Sequence, residues 1–218
     1  MKITEVKATL HRIPVSAPLL KEKLMTPIVF VTVQTDQDVT GYGLTRTSQR
    51  FGAKEFINRE VAPFLSGKNP LETERVWHEL YKQFNPRAQT GMWSSAVSAI
   101  DIALWDIKGK HYKEPVWRLL GGAQNPVQAY VTFGLKQYTK DQLVEVAKQL
   151  VVQGEKRLKM VVAVDPENPK LDADRVRAVR EAVGEDVELM IDANYLFFFN
   201  RALELCKLVE PYGITWFE

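Results

Sequence analysis

From residue 127 onward the chain alternates between short apolar runs and amphipathic stretches, and this alternation sets its organisation. The runs are Gln128–Phe133, Lys156–Val162, Val187–Asp192 and Ile214–Glu218. Between them lie three amphipathic stretches. The first, Thr139–Val152, has Thr139 as N-cap and Gln142 three residues on. The others are Asp172–Val183 and a segment from about Asn200 to Val209. Successive βα units of this length predict parallel strands joined by helical crossovers. Before residue 122 the pattern differs. Residues 2–12 alternate, with Val6, Ala8 and Leu10 set against Glu5, Lys7 and Thr9. Ser16–Thr26 reads as a loop and Ile28–Thr35 as a β-branched strand. A turn at Asp36–Asp38 leads into a strand beginning at Gly41. Three such strands in sequence predict an antiparallel meander.

Helices follow the meander. Phe51–Leu65 ends at Ser66-Gly67, and Asn69-Pro70 opens a second helix with proline at the first helical position. The third helix carries the strongest period: Trp93, Val97, Ile100, Leu104 and Ile107 form one apolar stripe, with Ser94, Ser95, Asp101 and Lys108 on the other face. That stripe reads as core packing. The expected organisation is α/β: an α+β domain over residues 1–122, then a parallel βα section over 123–218, with the boundary near Gly121–Pro126.

Composition narrows the function. The 218 residues are 45% apolar and 26% charged, ordinary globular values. A net charge of +2 gives no reason to expect a nucleic-acid or membrane partner. No apolar run approaches the roughly 20 residues of a membrane span. The N-terminus enters a strand without a signal-peptide core, so a cytoplasmic protein is expected. The single cysteine, Cys206, sits in an apolar helical pattern and reads as buried. His11, His78 and His111 are scattered. Gly-rich phosphate loops, HExxH, CxxC and GxSxG are absent from the sequence.

The chemistry concentrates at the ends of the parallel strands. In parallel α/β barrels that edge carries the reacting groups. Lys159, Asp192 and Glu218 lie near the C-terminal ends of three successive strands. Two carboxylates on neighbouring strand ends are unfavourable unless a cation lies between them, and oxygen ligands suit Mg²⁺. The alternative is that Asp192 caps the next helix and Glu218 stands in solvent. Lys159 pointing inward could neutralise an anionic substrate; pointing outward it would be solvated. Asn194 either orients a ligand or terminates the strand.

The chain resembles the mandelate racemase/muconate lactonizing enzyme group of the enolase superfamily. The resemblance rests on residues 91–110 (GMWSSAVSAIDIALWDIKGK), 118–122 (RLLGG), 172–184 (DADRVRAVREAVG), 190–194 (MIDAN) and 210–218 (EPYGITWFE). It implies an α+β capping domain ahead of a modified (β/α) barrel, and Mg²⁺-assisted removal of the proton α to a carboxylate. By motif, Asp192 and Glu218 match the first two metal ligands and Asn194 the polar residue after the first. Lys159 matches the first lysine of a Lys-x-Lys motif. Loops at about 15–26 and 45–52 match the segments that close over substrate. Lys21, Lys23, Arg46 and Arg50 there are candidates for contacting an acid sugar. Self-association into a homo-oligomer is also implied.

Two departures shape the expectation. Val161 replaces the second lysine of the motif and can neither take nor give a proton. Two-base racemisation needs groups on both faces of the α-carbon, so dehydration of an acid sugar is favoured. The sequence also stops after the fourth barrel strand. The family's third ligand and His–Asp dyad lie on later strands. The expectation is therefore the N-terminal part of a Mg²⁺-dependent dehydratase. The alternatives are a non-catalytic binding or assembly module and a racemase or cycloisomerase of the same family.

Overall fold

The computed structural model describes residues 1–84, 91–123 and 126–218. They form two compact units, 1–125 and 126–218. The boundary expected near Gly121–Pro126 takes in residues 124 and 125, outside the described residues.

The first unit opens with strands β1 (Ile3–Val15), β2 (Leu24–Thr35) and β3 (Thr40–Thr45), antiparallel in that order. Segment 16–26 is only partly the expected loop, because β2 begins at Leu24 and the hairpin stays paired out to Val15↔Leu24. One face of the sheet is apolar at alternate positions, and Val29, Val31 and Val33 are fully buried. Helix α1 (Arg50–Phe56) runs through a π-helical turn at Ile57–Val61 into α2 (Ala62–Leu65). Helix α3 spans Thr73–Phe84, so Pro70 lies in the preceding turn instead of at the first helical position. There the Asn69 side-chain oxygen accepts the Leu71 N–H at 3.2 Å.

Helix α4 (Met92–Tyr112) is the centre of this unit. Val97, Ile100, Leu104 and Ile107 are buried as expected, but so are Ala96, Ala99 and Ala103. The small residues have a purpose. A Cβ added at Gly43 would lie 1.9 Å from the Ala99 carbonyl oxygen, and one at Gly41 would lie 2.1 Å from that of Ala103. Glycine on β3 and alanine on α4 thus let strand and helix approach closely. Asp106 fixes the approach by accepting the Tyr42 N–H at 2.8 Å. The unit closes with the short helix α5 (Val116–Leu119).

The second unit is the first half of a (β/α) barrel. Strands β4 (Val131–Phe133), β5 (Arg157–Val161), β6 (Glu188–Asp192) and β7 (Ile214–Phe217) form a parallel sheet in sequence order. Each crossover contains a helix: α6 (Lys140–Val152), α7 (Pro169–Val183) and α8 (Phe199–Val209). Both bonds of the α6 capping box form, with the Gln142 N–H to Thr139 Oγ1 at 3.2 Å and the Thr139 N–H to Gln142 Oε1 at 3.0 Å. The expectation of a buried Cys206 is corrected. Leu205 and Val209 are the buried positions of α8, and Cys206, one residue round the helix, is exposed. Arg180 secures the opposite end of the sheet, donating to the carbonyls of Gly184, Val187, Tyr212 and Gly213. Among the described residues no helix is long and apolar enough to cross a membrane.

Candidate metal and proton-transfer site

Strand register explains how three residues distant in sequence meet. Lys159 pairs with Met190, and Val161 with Asp192. Alternate residues share a face, so Lys159, Val161, Met190 and Asp192 lie on one side of the sheet. Lys159 starts one rung below Asp192, and its four-carbon stem spans the difference. Glu218 is brought level by two backbone bonds: the Glu218 N–H donates to Ile191 O, and the Ala193 N–H donates to Glu218 O, both at 2.9 Å.

The ammonium of Lys159 lies between the two carboxylates. Its Nζ is 3.0 Å from Asp192 Oδ2 and 2.5 Å from Glu218 Oε2. Lys159 is 6% exposed and Asp192 7%, whereas the Glu218 side chain is 59% exposed. The inward orientation of Lys159 is therefore the one adopted. Burial pulls the lysine pKa down, but hydrogen bonds and charge attraction from Glu218 and Asp192 outweigh it and leave it raised. Lys159 is thus a firmly charged donor in this arrangement. The other Asp192 oxygen, Oδ1, accepts the Asn194 N–H at 2.7 Å. This is a turn formed with the next-but-one residue; helix α8 starts only at Phe199, so Asp192 does not cap it. Asn194 itself holds a left-handed conformation, φ 47°.

The substrate-contact candidates of the first unit divide by element. Lys21 lies exposed in the turn between β1 and β2, and Arg46 lies exposed just after β3. Arg50 opens α1 with its guanidinium 4.9 Å from the centroid of Phe51.

Several residues at the strand ends escaped the sequence reading. Tyr130 places its ring centroid 5.2 Å from Lys159 Nζ, and Trp216 meets that ring edge-on at 5.3 Å between centroids. Tyr130 is two residues before Thr132, which pairs with Lys159, so the period of two could have found it. Asp172 of α7 is fully buried and accepts the N–H groups of Ala163 (2.9 Å) and Val164 (3.3 Å), just beyond β5. Lys136 donates to the Ala163 carbonyl at 2.6 Å. Arg175, also buried, donates to Tyr138 O at 2.9 Å. These groups tie the loops after β4 and β5 to α7.

The donor set fits a hard divalent ion. Asp192 and Glu218 present oxygens that both reach one positive centre, and Mg²⁺ is commonly held by one or two carboxylates with water completing its shell. Among the described residues no group of three or more His, Cys, Asp or Glu is gathered for a metal.

An antiparallel α+β unit followed by βα repeats, with carboxylates and lysine at successive strand ends, defines a barrel protein of the enolase type. Family comparison agrees across both units. Residues 1–121 match the mandelate racemase/muconate lactonizing enzyme N-terminal domain, and residues 142–218 match the enolase C-terminal domain-like model. The chain belongs to the mandelate racemase/muconate lactonizing enzyme family of the enolase superfamily. It is 34% identical to arabinonate dehydratase of Saccharolobus solfataricus, over 88% of this chain and 52% of that protein. It is 33% identical to D-galactarolactone cycloisomerase of Agrobacterium fabrum, over 100% and 58%. The crystal structure of L-talarate dehydratase from Polaromonas sp. JS666 with Mg and L-glucarate superposes with TM-score 0.83 at 29% identity, covering 99% of this chain and 58% of that one. The chain therefore spans a little over half the length of these relatives.

Proposed function

We propose that this chain supplies the capping unit and the first half-barrel of a Mg²⁺-dependent dehydratase of acid sugars. The observation that carries the reading is the meeting of Lys159, Asp192 and Glu218 at one point on the strand ends. In this reading Asp192 and Glu218 hold the ion. Mg²⁺, when bound, supplies positive charge that makes the proton α to a carboxylate easier to remove. Lys159 offers N–H donors to the negative charge that builds on the substrate carboxylate. Asn194 orients the substrate beside Asp192, and Lys21, Arg46 and Arg50 remain the first unit's candidates for contacting acid-sugar groups. The substrate loses its α-proton and its β-hydroxyl as water, and the enol left behind tautomerises to a 2-oxo-3-deoxy acid.

Val161 supports dehydration over racemisation. On the face where the family motif has a second lysine, this chain has a side chain with no proton to exchange. Racemisation needs acid and base groups on both faces of the α-carbon; dehydration manages with one. A cycloisomerase is the second reading, favoured by the Agrobacterium enzyme that matches along the whole of this chain.

The test is incubation of the protein with Mg²⁺ and a panel of acid sugars and their lactones, followed by product analysis. The expected product is a 2-oxo-3-deoxy acid, formed only with Mg²⁺ and lost in Asp192→Asn and Glu218→Gln. A ring-opened or isomerised product without loss of water selects the cycloisomerase. Absence of Mg²⁺ binding, of turnover and of α-proton exchange in deuterated solvent overturns both and leaves a binding or assembly module.

A further inference from the structure

Lys159 places its ammonium between the two carboxylates that would hold a metal. Its ammonium is within 3.0 Å of Asp192 Oδ2 and at 2.5 Å from Glu218 Oε2, so both carboxylates already have a cation between them. The lysine is 6% exposed and its third side faces the Tyr130 ring, which Trp216 holds edge-on. The arrangement satisfies the carboxylates from within the chain. A divalent ion reaching for the same oxygens has to move the ammonium away or sit beside it against like-charge repulsion.

We propose that Lys159 is an internal competitor for the divalent metal, bridging Asp192 and Glu218 and lowering their affinity for the ion. This inference rests on the metal-site reading above. It adds that the lysine sets the affinity of the site and that metal entry moves its side chain. The competition follows from charge and shared oxygens, and Tyr130 gives the displaced ammonium an apolar-faced neighbour on the same side of the sheet.

The test measures Mn²⁺ binding by electron paramagnetic resonance of the free ion, with Mg²⁺ as competitor. Parent, Lys159→Met and Asp192→Asn proteins are compared. Lys159→Met is expected to bind Mn²⁺ about tenfold more tightly than the parent, because a repelling charge beside the ion is gone. Asp192→Asn is expected to bind weakly or not at all. Parent binding that is lost in Asp192→Asn but is equal or weaker in Lys159→Met keeps the metal site and overturns the competition. No binding by either parent or Lys159→Met overturns both. A second measurement needs no variant: with ¹³C-labelled lysine, the Lys159 Cε resonance of the parent is expected to shift in step with Mg²⁺ occupancy. A resonance that stays fixed while Mg²⁺ saturates the protein overturns the proposal even if Lys159→Met fails to fold.

Discussion

Asp172 stabilises the strand-end loop at the expense of burying a carboxylate. Replacing it by alanine removes the acceptor for the Ala163 and Val164 N–H groups. Ala163 is fully buried, so its N–H finds no water, and an unsatisfied buried donor costs about 1–3 kcal/mol. Val164 is half-buried and regains a water partner at little cost. Arg175, only 4% exposed, also loses the negative charge of Asp172 that supports its own charge. Together Asp172→Ala is expected to cost about 2–4 kcal/mol, and Asp172→Asn, which keeps one acceptor oxygen, about half that. The pH dependence separates this account from an ordinary ion pair. Burial raises the Asp172 pKa above the usual carboxylate range, and the two N–H groups with Arg175 and Lys136 only partly oppose it. The folded state then binds the proton more tightly than the unfolded state. Stability from this group is greatest below the ordinary carboxylate pKa and falls as pH rises through the raised folded value. The advantage of the parent over Asp172→Asn should therefore shrink from acid toward neutral pH. Urea unfolding of the three proteins across that range measures it, and amide exchange at Ala163 reports the local site. A parent advantage that grows with pH, or an Asp172→Ala cost below about 0.5 kcal/mol, refutes the argument.

Two further substitutions test the packing and the helix start. Gly43→Ala places a methyl 1.9 Å from the Ala99 carbonyl oxygen, where only backbone movement relieves the clash. It is expected to destabilise the first unit by about 3 kcal/mol or more in urea unfolding followed by tryptophan fluorescence. Thr139→Ala removes one arm of the α6 capping box and should cost about 1 kcal/mol, with faster amide exchange at Gln142 and little change elsewhere.

The fold was most legible where local chemistry and burial agree. The apolar runs at β5 and β6 end up as buried strands, and the Thr139–Gln142 pair forms both of its bonds. Reading failed where backbone pairing proceeds without a core. Ile13, Val15 and Met25 are exposed at the outer end of the β1–β2 hairpin, so no face there must be apolar. Alternation is lost although the strands remain paired, and Pro18 with Lys21 and Lys23 made the segment look like a loop. The small face of α4 was missed for a related reason. Ala99 and Ala103 bury little area each, and their value lies in the glycines opposite.

The candidate site shows the same division between what one strand states and what neighbouring strands add. Lys159 alone left its orientation open, since Leu158 and Met160 on either side are buried as well. Register to β6 resolves it, because a period of two places residues 159, 161, 190 and 192 on one face. The same arithmetic extends to Tyr130 on one side; on the other, an irregularity in the β6–β7 pairing between Leu189 and Ile191 breaks the period, and the pairing of Ile191 with Phe217 sets the places of Trp216 and Glu218. A sequence-level reading that carried the register from β5 to β4 would have reached Tyr130 but not Trp216. Asp172 lay beyond such arithmetic. In the first turn of α7 it looks like an acid favoured by the helix dipole, a role that leaves a carboxylate in water. Its burial depends on the left-handed turn at Ala163, φ 58°, which aims two N–H groups back at the helix. That turn is taken by an alanine, a residue with no preference for the conformation. The signal for Asp172 therefore lies in the three-dimensional path of the chain between β5 and α7, and the carboxylate holds the alanine there.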